Sequence, residues 1–418
     1  MAQILDTPAT TSSARGAIPQ RRPFGKFNEL ERPGGVFRDL GPNWFAAVMG
    51  TGIVANAGAS LPLRVPGLRG FATVVWGLAA AALIALTAAW AVHWIRYPER
   101  ARGHARHPVM AQFWGAPAMA LMTVGTGTLV LGRGLIGTGA AVGADWGLWG
   151  AGTALGLVTT CWIPYLMMTR PGMQGDGAFG GWLMPVVPPM VSAASGALLI
   201  PYAPPGQARL TLLLACYAMF GISLFAAVII TTQIWSRLVT RGAGPAVMVP
   251  TLWIVLGPLG QSITAAGALG TAAAAVLPAP YASGAAVFAL LYGVPAWGFA
   301  MAWLVLAAAI TVRMARRTPG GLPFALTWWS FTFPVGTCVT GTIALAARSG
   351  AGSLRGASVV LYALLLLAWL VVAACTVHGT ATGRLLRALP PVAPEGPQPA
   401  GARQAPAAPQ PVPPVPSL

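Results

Sequence analysis

Ten runs of mainly apolar residues, separated by short polar gaps, dominate the chain: 42–60, 70–95, 109–132, 145–168, 182–201, 208–235, 247–276, 284–312, 323–347 and 356–380. A bilayer core about 30 Å thick takes about 20 such residues as a helix. Each run is therefore predicted to cross a membrane once, with consecutive runs antiparallel. Glycine and proline occur inside many of them, which would argue against helices in water. Membrane helices tolerate both, because neighbouring helices and hydroxyl side chains satisfy the freed backbone groups.

Composition agrees. Of 418 residues, 56% are hydrophobic and 8% charged, against about 25% charged in a soluble domain. Too few charged side chains exist to cover a water-exposed surface, so a soluble globular fold is excluded. The net charge of +17 is no nucleic-acid footprint, because its arginines sit in gaps between apolar runs rather than on one patch. Lys26 is the sole lysine, and with the alanine and glycine excess this reads as GC-rich coding rather than selection for guanidinium chemistry. The four cysteines (Cys161, Cys216, Cys338, Cys375) lie in apolar runs without a CxxC pair. They indicate neither a disulfide framework nor a thiolate metal site, and no cofactor is expected.

The basic residues set an orientation. Arg15, Arg21, Arg22, Lys26, Arg32 and Arg38 precede the first run; Arg96, Arg100, Arg102 and Arg106 follow the second; Arg170 follows the fourth. Arg237 and Arg241 follow the sixth, Arg313, Arg316 and Arg317 the eighth, and Arg384, Arg387 and Arg403 the tenth. The opposite gaps hold only Arg64, Arg69, Arg133, Arg209, Arg348 and Arg355. The positive-inside rule then places both termini in the cytoplasm of a cell whose plasma (inner) membrane the chain spans. Residues 1–41 contain no apolar stretch of signal-peptide type and are expected to be a mostly disordered cytoplasmic tail. Residues 42–380 form the membrane domain. Residues 381–418, rich in proline and alanine, are expected to be a second disordered cytoplasmic tail.

The odd-numbered runs share a pattern that the even ones lack. They read WFAAVMGTGIVANAG, FWGAPAMALMTVGTG, LMPVVPPMVSAASG, VLGPLGQSITAAG and FTFPVGTCVTG. Pro117, Pro188, Pro258 and Pro334 each precede a glycine (Gly125, Gly196, Gly267, Gly341) by seven to nine residues, with Ser or Thr between. The prolines recur about every 70 residues, and one step back from Pro117 reaches Met49 beside Gly50-Thr51-Gly52. Proline in a helix interior removes a hydrogen bond and kinks the helix. Small residues alone would suit close packing anywhere, but near-constant spacing predicts five kinked helices around a central axis. The expected fold is all-α: ten transmembrane helices, as five hairpins in a quasi-five-fold arrangement around a pore.

No Asp, Glu, Arg or Lys falls in the centre of a run; Asp145 and Arg313 sit at ends. A charge at a helix centre normally marks a coupling site or proton relay, so a carboxylate-driven pump is not indicated. A membrane enzyme or sensor would need a polar cluster at one mouth, and none is evident. His104 and His107 lie in a basic gap and His93 and His378 at run ends, where solvated or snorkelling side chains are the rule. What remains is a neutral conduit, lined by Thr51, Thr123, Ser192, Ser195, Ser262, Thr264, Thr337 and Thr340. Basic gaps would gather small anions at its inner mouth, and hydrophobic side chains could close it. Phe331 and Phe333 beside Pro334 lie on different helix faces, and either is a candidate plug.

GPNWFAAVMGTGI in the first run, WLMPVVPPMVSAASGALL in the fifth and WWSFTFPVGT in the ninth resemble the tellurite-resistance/dicarboxylate transporter family. That family includes plant slow-type anion channels and fungal sulfite and malate permeases, and the resemblance covers about residues 40–380. It implies ten helices in five hairpins around a pore, and a homotrimer with one pore per subunit. An aromatic residue just before the ninth-run proline occludes the pore in the anion channels, which by the WW-x-x-x-F-P pattern implies Phe333 here. The shared VMGTG implies that Gly50, Thr51 and Gly52 lie near the pore axis. The expected activity is passage of small inorganic or organic anions through this pore. The alternative is a proton-coupled C4-dicarboxylate carrier, or an exporter of sulfite or tellurite-related oxyanions.

Overall fold

A computed structural model describes residues 33–63, 65–173 and 177–386. Arg15, Arg21, Arg22, Lys26, Arg32, Arg64, Arg387, Arg403 and most of both expected tails lie outside the described residues. The described residues are helical throughout, with no strand among them. Twelve α-helices follow one another: α1 (Phe45–Ser60), α2 (Leu68–Arg96), α3 (Pro98–His104), α4 (Gly115–Gly127), α5 (Arg133–Ile136), α6 (Thr138–Thr169), α7 (Pro188–Leu199), α8 (Gln207–Arg241), α9 (Leu256–Ala272), α10 (Ala279–Arg317), α11 (Phe333–Ser349) and α12 (Gly352–Ala381).

Their burial sorts them into two sets. Helices α2, α6, α8, α10 and α12 are long and present large apolar side chains outward, Ile84, Phe225, Leu291 and Val360 among them. Such a surface suits lipid, not water. Helices α1, α4, α7, α9 and α11 are buried nearly all round: 78% of the apolar stretch containing α9 is buried, against 22% of that in α10. A helix apolar on every face belongs inside a larger assembly. These five close a ring, with α1 on α4, α4 on α7, α7 on α9, α9 on α11 and α11 back on α1. Each also packs along the long helix that follows it, so the repeat in the sequence is a repeat of inner–outer hairpins.

Two expectations change in detail. By length and composition eight helical stretches can cross a membrane. The other two inner helices, α1 and α7, have only 16 and 12 residues, because glycine and proline shorten them. The repeat prolines are also not at interior kinks. Pro188 opens α7, Pro334 is the second residue of α11, and Pro117 and Pro258 are the third residues of α4 and α9. A proline in the first helical turn sacrifices no internal hydrogen bond and its fixed φ favours helix entry. Each of these helices is preceded by a 3-10 segment: Met110–Trp114, Gly180–Leu183, Ala246–Val255 and Leu326–Phe331, with Pro42–Trp44 before α1. The prolines that do sit inside α-helices are Pro164 and Pro295, on the outer helices α6 and α10.

The near ends of the expected tails are built into the molecule. Leu40 and Leu386 are both buried and pack with Trp44, Trp329 and Val372. The carbonyl of Phe37 meets His93 Nδ1 at 2.9 Å. Short 3-10 segments stand at Pro33–Phe37 and Arg384–Leu386.

Candidate functional site

Inside the ring lies a cavity of about 620 Å³, to which all five inner helices contribute. The helices run in one direction, since each is followed by an antiparallel partner, so their N-terminal ends share the basic side of the molecule. The cavity occupies the other end. Its rim carries Ser60, Leu198, Thr271 and Ala347, all exposed and all in the last turns of their helices. Of its lining residues, Phe333 is the one at the very start of its helix. From Phe333 to Arg348 at the rim is about 22 Å along α11.

Packing of the glycines fixes the levels between. Gly336 lies against Ile53, and Gly260 against the backbone of Thr337 and Cys338. A Cβ at either would collide, so the small residues let α1, α9 and α11 approach closely. Phe333 (2% exposed) therefore lies innermost, with Ile53 and Gln261 (6% exposed) about one helical turn outward of it. A further turn outward come Asn56, Thr123, Thr264 and Thr340. Asn56 Nδ2 donates to the Thr123 carbonyl at 3.0 Å, and the hydroxyls of Thr264 and Thr340 are 2.8 Å apart. Asn56 Oδ1 has no hydrogen-bond partner. At the rim the Arg348 guanidinium donates to the Gly267 carbonyl at 3.0 Å and to Thr271 Oγ1 at 3.1 Å. Among the described residues it is the one charged side chain of the lining.

Of the expected lining, Phe333, Thr123, Ser195, Thr264 and Thr340 border this space. The remainder face elsewhere. Thr51 Oγ1 accepts from Trp369 of α12 at 3.2 Å, Ser262 Oγ from the Tyr292 hydroxyl of α10 at 2.7 Å, and Ser192 Oγ from the Thr153 hydroxyl of α6 at 3.0 Å. Thr337 is fully buried, its hydroxyl 2.7 Å from the Pro334 carbonyl and 3.2 Å from that of Gly257. Gly50 lies against Thr332 and Trp329, and Gly52 against Thr123, as helix contacts. Pro117, Pro188, Pro258 and Pro334 start helices and are absent from the lining. Phe331 packs edge-on to Trp253 and Trp328 at the other end of the ring, with centroids 5.1 and 5.7 Å away. Of the two phenylalanines only Phe333 reaches the cavity.

The hydroxyls turned outward belong to a second pattern. Trp76 of α2 donates to Thr128 Oγ1, next to α4, at 3.2 Å; Trp149 of α6 to the Ser192 carbonyl of α7 at 3.0 Å; Trp297 of α10 to Thr342 Oγ1 of α11 at 2.9 Å. With Trp369 and Thr51, four outer helices each bind the next inner helix around the ring.

Sequence reasoning missed Asn56, Gln261 and Arg348 as lining. Asn56 and Gln261 are carboxamides inside apolar runs, which is the signal that could have found them; Arg348 was assigned to a gap but lies in the last turn of α11. It also placed Asp145 at a run end. Asp145 is fully buried in α6 against Gly125 of α4, and neither carboxylate oxygen meets a hydrogen-bond donor. His93 is likewise fully buried rather than solvated, its ring stacked on His104 with centroids 5.2 Å apart. Burial, reinforced by neighbouring His93, holds His104 down at about 4, although Asp39 opposes the shift. Burial also lowers His107. Among the described residues no three His, Cys, Asp or Glu side chains cluster as metal ligands would.

A sulfite efflux pump of Trichophyton rubrum is 28% identical over 357 residues, which cover 83% of this chain and 92% of the pump. An uncharacterized transporter of Methanocaldococcus jannaschii is 25% identical over 307 residues, covering 73% of this chain and 83% of that protein. Residues 39–377 match the family SLAC1, described as voltage-dependent anion channel. The match takes in the ring, its outer helices and every lining residue of the cavity, and it agrees with the likeness carried by the three sequence motifs. This multi-pass membrane protein belongs to the SLAC1 family of voltage-dependent anion channels.

Proposed function

We propose that the protein passes small anions through the space enclosed by α1, α4, α7, α9 and α11, and that the Phe333 ring is the gate. The observation that carries this is the position of Phe333 at the inner end of a cavity whose wall mixes aliphatic side chains with hydroxyls and carboxamides. An apolar ring there excludes hydrated ions until it moves. A lining with one cation, at the rim, favours anions without binding them too tightly to leave. The naming of relatives as sulfite efflux pumps makes a sulfur oxyanion the first substrate to test. In this reading α1 and α7, with their 3-10 extensions, complete ten crossings. The basic ends lie in the cytoplasm by the positive-inside rule, so the cavity opens outward from a plasma (inner) membrane. Family likeness alone supports a homotrimer with one conduit per copy.

Replacing Phe333 by Ala in purified protein is expected to raise anion uptake into proteoliposomes several-fold. Unchanged uptake, with an unaltered elution profile, would remove the gate.

One observation favours a second reading, a proton-coupled carrier. Asp145 is a buried carboxylate without a partner, in a helix that packs on the ring, and such groups mark coupling sites and proton relays. A coupled carrier would concentrate its anion when a pH gradient is imposed, and Asp145→Asn would abolish that while leaving downhill flux. Wild-type uptake that ignores the pH gradient decides for the passive route.

A further inference from the structure

We infer that Gln261 recognises the transported anion, and that the anion it fits is a singly charged oxyanion still carrying a proton. The inference rests on the anion-transport reading above and adds a substrate class to it. Gln261 is 6% exposed and borders the cavity. Gly260, its neighbour, lies against Thr337 and Cys338 of α11, which puts Gln261 about 6 Å, one helical turn, outward of Phe333. Whatever passes the aromatic ring meets this side chain.

The hydrogen-bonding capacity at this level can be counted. A carboxamide has two N–H donors and one carbonyl acceptor, and a buried one is normally satisfied. Among the described residues Gln261 makes no hydrogen bond, so all of its capacity faces the cavity. The neighbouring hydroxyls spend their hydrogens mostly on backbone carbonyls. Asn56 gives one amide N–H to the Thr123 carbonyl at 3.0 Å, and its Oδ1 is buried beside Gly127. Thr123 donates to the Met119 carbonyl at 2.7 Å and Ser195 to the Val191 carbonyl at 2.7 Å. Thr340 donates to the Thr337 carbonyl at 3.1 Å, and Thr264 is shared between Thr340 and the Gly260 carbonyl. The Gln261 amide therefore brings both kinds of group to the cavity wall, two N–H donors and the Oε1 acceptor.

A halide only accepts hydrogen bonds and would leave Gln261 Oε1 unmatched. A dianion has the same fault, doubled, and among the described lining residues the one cation, Arg348, stands at the distant rim. A hydrogen-oxyanion accepts through its bare oxygens and donates through its O–H. It can match both sides of the Gln261 amide at once.

The test compares hydrogensulfite and chloride uptake into proteoliposomes holding the full chain, at a mildly acidic pH that keeps the probe a monoanion. Gln261→Leu keeps the bulk and removes the hydrogen bonds, and is expected to lower the hydrogensulfite-to-chloride ratio about tenfold, the value of one charge-assisted hydrogen bond, while chloride still passes. An unchanged ratio overturns the assignment. If the leucine variant does not fold, the near-isosteric Gln261→Glu serves: it is expected to depress both anions, and wild-type rates in it would overturn the assignment equally. A wild-type protein that passes neither anion would instead remove the transport reading itself, so the two failures are distinct.

Discussion

The two ends of the inner helices have opposite characters. At the N-terminal end, on the basic side, 3-10 segments carry Trp44, Trp114, Trp253 and Trp329, all buried, and the backbone of one segment touches the next. Gly115 lies against the Met184 carbonyl and Gly180 against the Thr251 carbonyl. At the C-terminal end the same helices separate around open space lined by threonine, serine and carboxamides. The first-turn prolines mark where one regime gives way to the other. The contrast teaches that these elements do different work along their length: a closely packed collar at one end and an open funnel at the other, with Phe333 at the boundary.

The sharpest way to break that comparison is to crowd the collar. Gly115→Ala would drive a methyl group into the Met184 carbonyl, and is expected to cost about 1–3 kcal/mol, the range for overpacking a tight core. Thermal unfolding in detergent measures it, and an unchanged midpoint would show that the collar is not tightly packed. A smaller effect is expected at the funnel rim. Arg348→Gln should reduce anion uptake several-fold at low ionic strength, and the difference should vanish near 1 M salt, where screening acts over about 3 Å. A difference that persists in high salt would assign Arg348 a packing role through Gly267 and Thr271. The smallest effect concerns the basic side. His104 in α3 stays neutral in the folded protein down to about pH 4, whereas the unfolded chain binds a proton there below about 6.5. Protonation thus favours unfolding, and stability should decline as pH falls from about 6.5 to 4. His104→Gln should flatten that decline, measured as melting temperature against pH.

Much of the architecture was legible because a bilayer leaves few choices. Apolar run length located the helices, and the recurrence of proline before small residues separated inner from outer ones. The facing of individual hydroxyls was not legible. A threonine in a helix can satisfy itself on the carbonyl one turn back, as Thr123 and Ser195 do, so its presence says nothing about which side it turns to. Helices apolar on every face also lack the one-sided periodicity that would orient them, which is why Thr51, Ser192, Ser262 and Thr337 were expected in the lining. The position of the prolines was legible but their effect was not: whether a proline kinks a helix or starts one depends on the 3-10 segment before it. Asp145 escaped notice because a carboxylate near a run end reads as solvated until a neighbouring glycine, Gly125, is seen to make room for it.

The wall around the central space is completed by the residues farthest apart in the chain. Tyr362 reaches the Val54 carbonyl and Trp369 reaches Thr51, joining the last long helix to the first. During synthesis the opening hairpin must therefore wait, with one flank against lipid, until the final one emerges. A polypeptide released before α11 and α12 are made would hold an unsealed slot rather than a smaller version of the same vessel.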